Sequence, residues 1–320
     1  MSKKINLRDH PSEFFRSFGM YVDSRNIAPS TINNYHVLAA ALMRFEAATR
    51  VPLSVETFDT SLLERFIAFY RAEPMPGGGQ RRRSHNTVCA LMRCLRAFFN
   101  WCLRDRCIEA NPFMTYSGSY TERYATPYYL TVAERDMIAE FDFSADSAIS
   151  VQRDIFIFQC LTGCRVSDMM NLTYENVGGG YLEYIARKTA GKHPAVIRIP
   201  LHPRAAEIIQ RYKNPNPGVP LLPFIRPQRY NYAIKEILTR CGITRSVSLL
   251  SPVTGEPVRR HINEVASSHM ARRTFIGMLY NRVKDPNLIS SLTGHADNSR
   301  AFARYRAIDD TIKRELIMLL

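Results

Sequence analysis

The stretch QCLTGCRVSDMMNLT, residues 159 to 173, decides how the second half of the chain is interpreted. Its pair Thr162 and Gly163 follows an apolar run, which is typical of a helix end. Arg165 then stands three residues before Asp168, about one turn away along the next helix. The two are either a surface ion pair or part of a phosphate clamp, because a planar guanidinium offers paired donors to two phosphate oxygens. The stretch alone leaves both explanations open.

The composition of the whole chain indicates a folded protein with an acidic partner. Its 320 residues are enough for two domains, and 46% hydrophobic with 22% charged residues is typical of a globular chain. Lys and Arg number 43 against 29 Asp and Glu, which gives a formal net charge of +14. A surplus of this size favours a polyanionic partner, and we expect that partner to be double-stranded DNA.

Several classes of protein are disfavoured. No apolar run approaches the ~18 residues of a transmembrane helix and the start MSKKINLRDHPSEFF has no secretory apolar core, so we expect a cytoplasmic protein without a membrane partner. The seven cysteines include no CxxC pair and no nearby His at ligand spacing, which argues against disulfides and a metal site. The sequence has neither a P-loop nor clustered carboxylates, and we expect no cofactor.

Apolar residues at three- and four-residue spacing predict four helices between Ser12 and about Leu103. The first covers about 12–24, and the second begins at a cap formed by Ser30 or Thr31. The third and fourth are TSLLERFIAFYRAE and SHNTVCALMRCLRAFFNWCLRDR. The periodicity is lost after EANPF. We therefore predict a helical domain over 1–115, a linker over 116–127 and a second domain over 128–320.

Five arginines of the first domain are candidate DNA contacts. Arg81, Arg82 and Arg83 follow three glycines in the loop PMPGGGQRRRS, which cannot be regular structure. A solvated loop and phosphate contact explain these three equally well. Arg93 and Arg96 lie off the apolar face of the fourth helix and are candidates for contacts in a DNA groove.

The second domain mixes helices with a small sheet. Its helical patterns fall at 131–141, 151–163, 203–213, 231–242, 267–282 and 286–294. A β-rich run at 181–186, a polar turn and alternation at 195–200 predict a β-hairpin. The predicted fold class is therefore mainly α with two domains, the second an α+β domain with a small antiparallel sheet.

Cationic residues stand at two further places in this domain. ARKTAGK puts Lys188 and Lys192 at the predicted hairpin tip, where lysines are common for solubility alone. A lysine there could also reach a DNA groove and give a proton to a leaving oxygen. His269 and Arg272 lie one turn apart on a predicted helix, and two cations on one face repel each other unless an anion lies between them.

The stretch LTGHADNSRAFARYRAI, residues 292 to 308, contains His295 and, ten residues later, Tyr305. The chain has 16 tyrosines, so packing in the core is the simpler explanation of Tyr305 when this stretch is taken alone. The alternative is that the phenol is a nucleophile.

The order of these elements resembles the tyrosine site-specific recombinases, also called the phage integrase family. T-G-C-R, a hairpin lysine, H-x-x-R, G-H and a late tyrosine agree with that family in residue type, order and approximate spacing. The amino-terminal helices look like its SAM-like core-binding domain. The resemblance implies a site-specific recombinase that cleaves and rejoins DNA through a 3′-phosphotyrosyl intermediate, for integration, inversion or resolution, without metal or ATP.

The resemblance also implies a role for each residue singled out above. Two arginines hold the scissile phosphate, an acid/base histidine lies between them, a lysine protonates the leaving oxygen, a second histidine donates a hydrogen bond and an acidic residue holds the first arginine in place. In that order they are Arg165 and Arg272, His269, Lys188, His295 and Asp168, with Tyr305 as the nucleophile. Lys192 is a second candidate for the lysine, and His295 to Tyr305 is about one residue longer than the family's common spacing.

Two other functions share parts of the pattern. They are a DNA-binding protein of the same fold without chemistry, and a type IB topoisomerase-like relaxing enzyme. The 15 residues after Tyr305 either pack on their own domain or, as the resemblance suggests, dock on a neighbouring subunit of a tetramer on DNA. Helices that begin near Ser12 favour a compact transposon, inversion or dimer-resolving recombinase over a large phage integrase.

Overall fold

The computed structural model describes residues 6–75, 81–105, 107–187, 196–214, 216, 218–280, 282–283, 285–294 and 318. The chain divides into two compact units, which we call unit 1 and unit 2. Unit 1 is Met1–Tyr124 with Leu250–Pro257, and unit 2 is Ala125–Leu249 with Val258–Leu320. The dividing point at Tyr124 falls inside the predicted linker, and the domain limits themselves stay a prediction.

The described residues of unit 1 form the four helices that the apolar periodicity predicts. They are α1 (Glu13–Asp23), α2 (Pro29–Thr49), α3 (Thr60–Ala72) and α4 (His85–Arg104). Asp59 caps α3 by accepting a hydrogen bond from Leu62 N at 2.7 Å, and Ser84 caps α4 by accepting one from Thr87 N at 3.1 Å. The local sequence therefore sets where these two helices begin.

The start of α2 differs from the prediction. The helix begins at Pro29 with Ala28 as its N-cap, so the predicted cap at Ser30 or Thr31 is wrong. Proline is suited to the first helical position because its missing N–H would have no partner there. The core that α2 joins is aromatic, with Phe18 and Phe98 buried and their ring centroids 4.9 Å apart.

Unit 2 is helical around a small sheet. Among its described residues the helices are α5 (Val132–Glu140), α6 (Ser147–Thr162), α7 (Val166–Met169), α8 (Pro203–Arg211), α9 (Pro227–Arg240), α10 (Ile262–Val265), α11 (Ser268–Tyr280) and α12 (Pro286–Thr293). The strands in the part of the chain that the structure describes are β1 (Val177–Gly178), β2 (Tyr181–Ile185), β3 (Val196–Pro200), β4 (Ser246–Leu250) and β5 (Pro257–His261). They form one sheet of order β1-β2-β3 and a two-stranded sheet β4-β5.

The predicted hairpin corresponds to β2 and β3, which pair antiparallel with Tyr181 opposite Pro200 and Ile185 opposite Val196. Alternate residues such as Leu182 face the core, as the period of two requires. Residues 188–195, which join the two strands, lie outside the described residues. The strand β1 and the pair β4-β5 were not predicted, because β5 is exposed along most of its length and carries no alternating apolar pattern.

Helix α6 lies at the centre of unit 2 and is buried over more than two turns, from Asp154 to Thr162. It begins earlier than predicted because Asp146 caps it by accepting from Ile149 N at 3.1 Å. It packs against α5, α8, α9 and α11, so its last turn is fixed from several sides. No helix in the described part of the chain has the length and apolar character that a membrane crossing requires.

Candidate active site

The site begins where α6 ends, at Gly163. This residue has φ 66°, a left-handed conformation that favours glycine. A Cβ at this position would lie 2.3 Å from Phe275 Cδ1, so the close approach of α11 also requires glycine. The turn directs the Gly163 carbonyl towards α11 and brings Arg165 to the start of α7, where it is the N-cap residue.

Arg272 on α11 joins the carboxyl ends of two helices. Its side chain is buried, with 2% of the residue exposed. Nη1 donates to Gly163 O at 2.8 Å at the end of α6, and Nη2 donates to Thr293 O at 2.6 Å at the end of α12. Carbonyls at helix ends lack partners within the helix and carry partial negative charge. They orient the guanidinium without cancelling its formal charge.

Arg165 meets the same turn at the end of α12. Its Nη2 donates to Gly294 O at 3.3 Å, one residue beyond the carbonyl that Arg272 uses. Gly294 has φ 60°, and a Cβ there would lie 2.5 Å from Ile197 Cδ1 on β3. The two arginines therefore converge on adjacent carbonyls of one glycine turn.

Asp168 lies behind Arg165. Its Oδ2 is 3.8 Å from Arg165 Nη1, an ion pair rather than a hydrogen bond, and its side chain is 1% exposed. Its Oδ1 accepts from Arg187 N at 3.2 Å, directly after β2. Within the described residues, Asp168 Oδ2 and Arg165 Nη1 are buried without a hydrogen-bond partner. The carboxylate thus links Arg165 to the base of the loop that carries Lys188.

His269 lies one turn before Arg272 on α11 and is exposed. The helix start is held by Asn231 Oδ1, which accepts from Ser268 N at 2.8 Å. The helix therefore carries an exposed histidine in its first turn and a buried arginine in its second. Both residues lie on the predicted helix, and their shared action on one anion stays a prediction.

Lys188, His295 and Tyr305 lie outside the described residues, as does Lys192. Their neighbours in the chain are nonetheless in the site. Lys188 follows Arg187, whose N–H binds Asp168, and His295 follows Gly294, whose carbonyl binds Arg165. The roles predicted for the four residues stay predictions.

Two other reactive groups near the arginines are protonated at neutral pH. Cys164 and Tyr184 are buried, and desolvation raises the pKa of the Cys164 thiol and of the Tyr184 phenol. Nucleophilic attack by either group would require a charged form that this environment disfavours. Neither group is therefore suited to act as a nucleophile at neutral pH.

Four of the five predicted DNA contacts in unit 1 fall into two groups. Arg81 and Arg82 are exposed. Arg93 donates to Glu122 at 2.5 Å, and Arg96 donates to the hydroxyl of Tyr120. The side chains of Arg93 and Arg96 therefore have partners within their own unit.

Arg83 differs from its neighbours. It is 6% exposed, its Nη2 lies 2.9 Å from Glu73 Oε2, and its guanidinium lies 4.1 Å from the ring centroid of Tyr70. Nη1 also donates to the carbonyls of Tyr70 and Glu73 at 3.1 and 2.6 Å. The triple-arginine pattern did not reveal that one of the three is a core residue, and we leave Arg83 out of the proposed contacts.

Asp168 was predicted to hold Arg165, but the backbone carbonyls that orient the two arginines were not among the predicted site features. A signal was present in the sequence, because the tripeptide Leu-Thr-Gly occurs at 161–163 and again at 292–294. Each copy ends a helix with a left-handed glycine, and each supplies a carbonyl to Arg272. Each is followed within two residues by a predicted site residue, Arg165 in one case and His295 in the other. The repeated tripeptide therefore marks the two sides of one site.

Comparison with known proteins identifies the family. Residues 130–311 match the phage integrase family and residues 13–118 match the phage integrase SAM-like domain. The tyrosine recombinase XerC of Syntrophus aciditrophicus is 26% identical over 317 residues, covering 92% of this chain and 93% of that protein.

Solved structures have the same fold. The Tn1549 transposon integrase in complex with circular intermediate DNA is similar with a TM-score of 0.64 at 18% identity, covering 94% of this chain and 98% of that one. A lambda integrase dimer bound to a core site gives 0.64 at 19% identity, with 91% and 94% covered. The predicted fold class is confirmed. The integrase match alone spans more than half of the sequence, and the chain therefore belongs to the phage integrase family, the tyrosine site-specific recombinases.

Proposed function

We propose that this recombinase cleaves and rejoins duplex DNA through a covalent bond between Tyr305 and the 3′ phosphate of the cut strand. The observation that carries the proposal is the convergence of Arg165 and Arg272 on the adjacent carbonyls of Gly294 and Thr293. Two guanidinium groups held side by side repel each other, and the repulsion is relieved by an anion between them. A phosphodiester supplies such an anion with two non-bridging oxygens.

The arginines would act mainly on the transition state. Attack on the phosphorus places additional negative charge on the non-bridging oxygens, and donors already fixed in position need no rearrangement to stabilise it. Arg272 is fixed by two carbonyl hydrogen bonds, and Arg165 by a carbonyl and the Asp168 carboxylate. His295, next to Gly294 in the chain, would donate one further hydrogen bond to the phosphate.

The protons that move during cleavage give roles to Tyr305, His269 and Lys188. A phenol with an ordinary pKa of about 10 must lose its proton as it attacks, and the exposed His269 would accept it. The new Tyr305–phosphorus bond replaces the bond to the 5′ oxygen, which leaves with a proton from Lys188. A 5′ hydroxyl of another strand reverses these steps and reseals the DNA. The scheme conserves the phosphodiester bond energy and does not call for ATP or a metal.

Duplex DNA is the proposed partner. The formal net charge of +14 favours it, and the Tn1549 transposon integrase, which shares the fold, was solved on DNA. We propose that Arg81 and Arg82 contact phosphates, and that Arg93 and Arg96 reach the DNA from the polar face of α4 by exchanging their present partners.

The proposed assembly is a tetramer on DNA in which the residues after Tyr305 dock on the neighbouring subunit. Truncation after Asp310 tests it. The expected result is intact binding of a single DNA site, with loss of the complex that joins two sites on a native gel. Unchanged joining and cleavage by the truncated protein would mean that the tail packs on its own domain.

The chemistry is tested by covalent capture. The protein is incubated with a pool of random-sequence duplexes that carry a central nick, so that cleavage releases a short strand and traps the adduct. Adducts that survive denaturation are recovered and their DNA is sequenced through repeated rounds. We expect the wild type to select a site, Tyr305→Phe to give no adduct and the control Tyr124→Phe to behave as the wild type.

Each alternative function predicts another outcome of the same experiment. A non-catalytic DNA-binding protein would enrich a site in the bound fraction without any adduct. A topoisomerase-like enzyme would form adducts without enriching a sequence, and would relax supercoiled plasmids that lack the selected site. Either result would overturn the proposed function.

A further inference from the structure

Two consecutive residues of α9, Tyr230 and Asn231, hold the two elements that carry the arginines. Tyr230 acts on the end of α6, which leads through Gly163 into Arg165. Asn231 acts on the start of α11, which bears His269 and Arg272. Neither residue belongs to the phosphate site itself, and no sequence pattern predicted a role for either.

The contact to α6 is a chain of buried hydrogen bonds. The Tyr230 hydroxyl donates to Gln159 Oε1 at 3.1 Å, and Gln159 Nε2 donates to the carbonyl of Cys164 at 2.9 Å. Tyr230 and Gln159 are each 1% exposed. Cys164 lies between Gly163, whose carbonyl binds Arg272, and Arg165. The chain of hydrogen bonds therefore ends on the peptide group that leads directly into Arg165.

The contact to α11 is a cap supplied by another helix. Asn231 Oδ1 accepts from Ser268 N at 2.8 Å, which satisfies one of the N–H groups that a helix start leaves without a partner. Ser268 is adjacent to His269 and one turn from Arg272. The amide thereby fixes the position of the first turn of α11 relative to α9.

The arrangement is specific because its surroundings are apolar. Around Gln159, α6 contributes buried neighbours such as Phe158 and Cys160, which would tolerate a small sliding of one helix along another. Directional hydrogen bonds between buried polar groups do not tolerate such sliding. A shift of one helix would leave a buried polar group without a partner, which lowers the free energy of unfolding. The contact between Tyr230 and Gln159 is buried, and the contact between Asn231 and Ser268 is partly buried. Together these contacts from adjacent residues of α9 fix α6 and α11 in one register.

We propose that Tyr230, Gln159 and Asn231 are positioning residues for strand cleavage, which place Arg165, Arg272 and His269 around one phosphate. The proposal rests on the recombinase function proposed above. Their hydrogen bonds bring the Gly163 carbonyl to Arg272 Nη1 and hold His269 one turn away, so that these three residues are in place before DNA arrives. Residues that do not touch the phosphate can still affect the cleavage rate, because they orient the residues that do.

The test uses three variants of the full chain, Tyr230→Phe, Gln159→Met and Asn231→Ala, and the duplex selected by covalent capture. Adduct formation is measured at saturating DNA and as a function of DNA concentration. We expect the maximal rate to fall between about 10-fold and about 100-fold, with the half-saturating DNA concentration changed less than about threefold. Tyr212→Phe is the matched control, because Tyr212 donates to Asp154 on α6 at 2.8 Å without approaching either arginine-bearing turn.

Two further measurements separate positioning from stability. With a methylphosphonate at the scissile position, which removes one negative charge, the deficit of each variant should shrink because less cationic stabilisation is needed. Asn231→Asp should restore most of the rate lost in Asn231→Ala, since a carboxylate oxygen also accepts from Ser268 N. The melting temperature of each variant is measured in parallel. It shows how much of the variant is folded at the assay temperature, and each rate is divided by that folded fraction.

The outcomes are distinct. A smaller rate deficit on the methylphosphonate, together with rescue by aspartate, supports the inference. An equal deficit on both substrates, or variants whose normalised rates match the wild type, would overturn the inference and leave the proposed function standing. A wild type that forms no adduct at all would overturn the proposed function, and the inference with it.

Discussion

Arg165 and Arg272 donate hydrogen bonds to the carbonyl oxygens of two consecutive residues, Gly294 and Thr293. The second of these arginines is also tied to Gly163, at the end of a helix more than a hundred residues earlier in the chain. Arg272 therefore has a structural role in unit 2 as well as a proposed role in catalysis. The two roles make separate predictions.

Replacing Arg272 by lysine should lower both stability and activity. A single ammonium cannot reach Gly163 O and Thr293 O at once in the geometry of a guanidinium, so a buried carbonyl loses its partner. We expect the free energy of unfolding to fall by about 1–3 kcal/mol and adduct formation to be lost. Denaturant unfolding followed by circular dichroism measures the first effect.

Arg165→Lys is the comparison for that variant. Arg165 makes one carbonyl hydrogen bond of 3.3 Å and a 3.8 Å ion pair, both of which a lysine can approximate. We expect less than about 1 kcal/mol of destabilisation and a large loss of activity. Equal destabilisation by both lysine variants would show that the two carbonyl bonds of Arg272 do not stabilise unit 2.

Gly163→Ala should destabilise unit 2 by more than the conformational effect alone. The left-handed φ of 66° costs a non-glycine residue about 1–2 kcal/mol, and here the new Cβ would also overlap the ring of Phe275 at 2.3 Å. Gly242→Ala is a matched control, since Gly242 has φ 69° and nothing within 4 Å of its added Cβ.

The difference between these two alanine variants isolates the steric contact. We expect it to be about 1–3 kcal/mol, and to decrease when Phe275→Leu is combined with Gly163→Ala. Hydrogen exchange of the α6 amides is the suitable measurement, because it reports opening of this helix rather than of unit 1. Equal protection in the two alanine variants would contradict the steric explanation.

Acid should weaken unit 1 through Glu73. Burial raises the pKa of this carboxyl, but Arg44 and Arg83 together outweigh burial and lower it below the ordinary value of 4.5. A carboxyl whose pKa is lowered by folding stabilises the folded state above its unfolded pKa, and this stabilisation is lost as the pH falls through the folded pKa. The loss is therefore expected below pH 4.5.

Trp101 makes this prediction measurable. It is the single tryptophan of the chain and lies on α4, with its ring centroid 5.7 Å from that of Tyr21, so its fluorescence reports on unit 1. Glu73→Gln should be less stable than the wild type at about pH 6 and should lose less on acidification to about pH 3.5. If the wild type and Glu73→Gln lost the same free energy of unfolding on acidification, the acid sensitivity would belong to other carboxyls.

The choice between Lys188 and Lys192 can be made chemically. If Lys188 protonates the leaving 5′ oxygen, Lys188→Ala should cleave an ordinary phosphodiester at least about 10²-fold more slowly than the wild type. A bridging sulfur at the same position leaves without protonation, so that substrate should restore the rate. Lys192→Ala is the control, and a sulfur-rescued defect in that variant instead would reassign the role.

Local sequence predicted most of the fold because the helices of unit 1 have strong apolar periodicity and side-chain caps, as at Asp59 and Ser84. It failed where a tertiary contact decides. Arg83 turns inward because Glu73 and Tyr70 are there to receive it. The start of α2 at Pro29 is a different case, because the local preference of proline for the first helical position outweighed the predicted cap. The sheet β4-β5 was not predicted because β5 is exposed along most of its length and has no alternating apolar pattern.

The site was predictable in its residue types and not in its construction. Charged residues such as Arg165 and His269 are visible in the sequence, and their order along the chain was enough to indicate the family. The carbonyls that orient them cannot be predicted from residue types, because every residue has a backbone carbonyl. Only the fold places those of Gly163, Thr293 and Gly294 next to the arginines. The role of Gln159 could not be predicted either, because a single polar residue within an apolar helical run does not indicate a function.

The turn at Thr293 and Gly294 also decides when, during synthesis of the chain, the two arginines can be brought together. Synthesis of the chain proceeds from Gly163 to Arg272 before α12 and its carbonyls exist. A nascent or prematurely terminated chain that ends before Pro286 has both arginines but lacks Thr293 and Gly294, which hold them together. In such a fragment the two arginines are present without the turn on which they converge, so their pairing is among the last features of unit 2 to form.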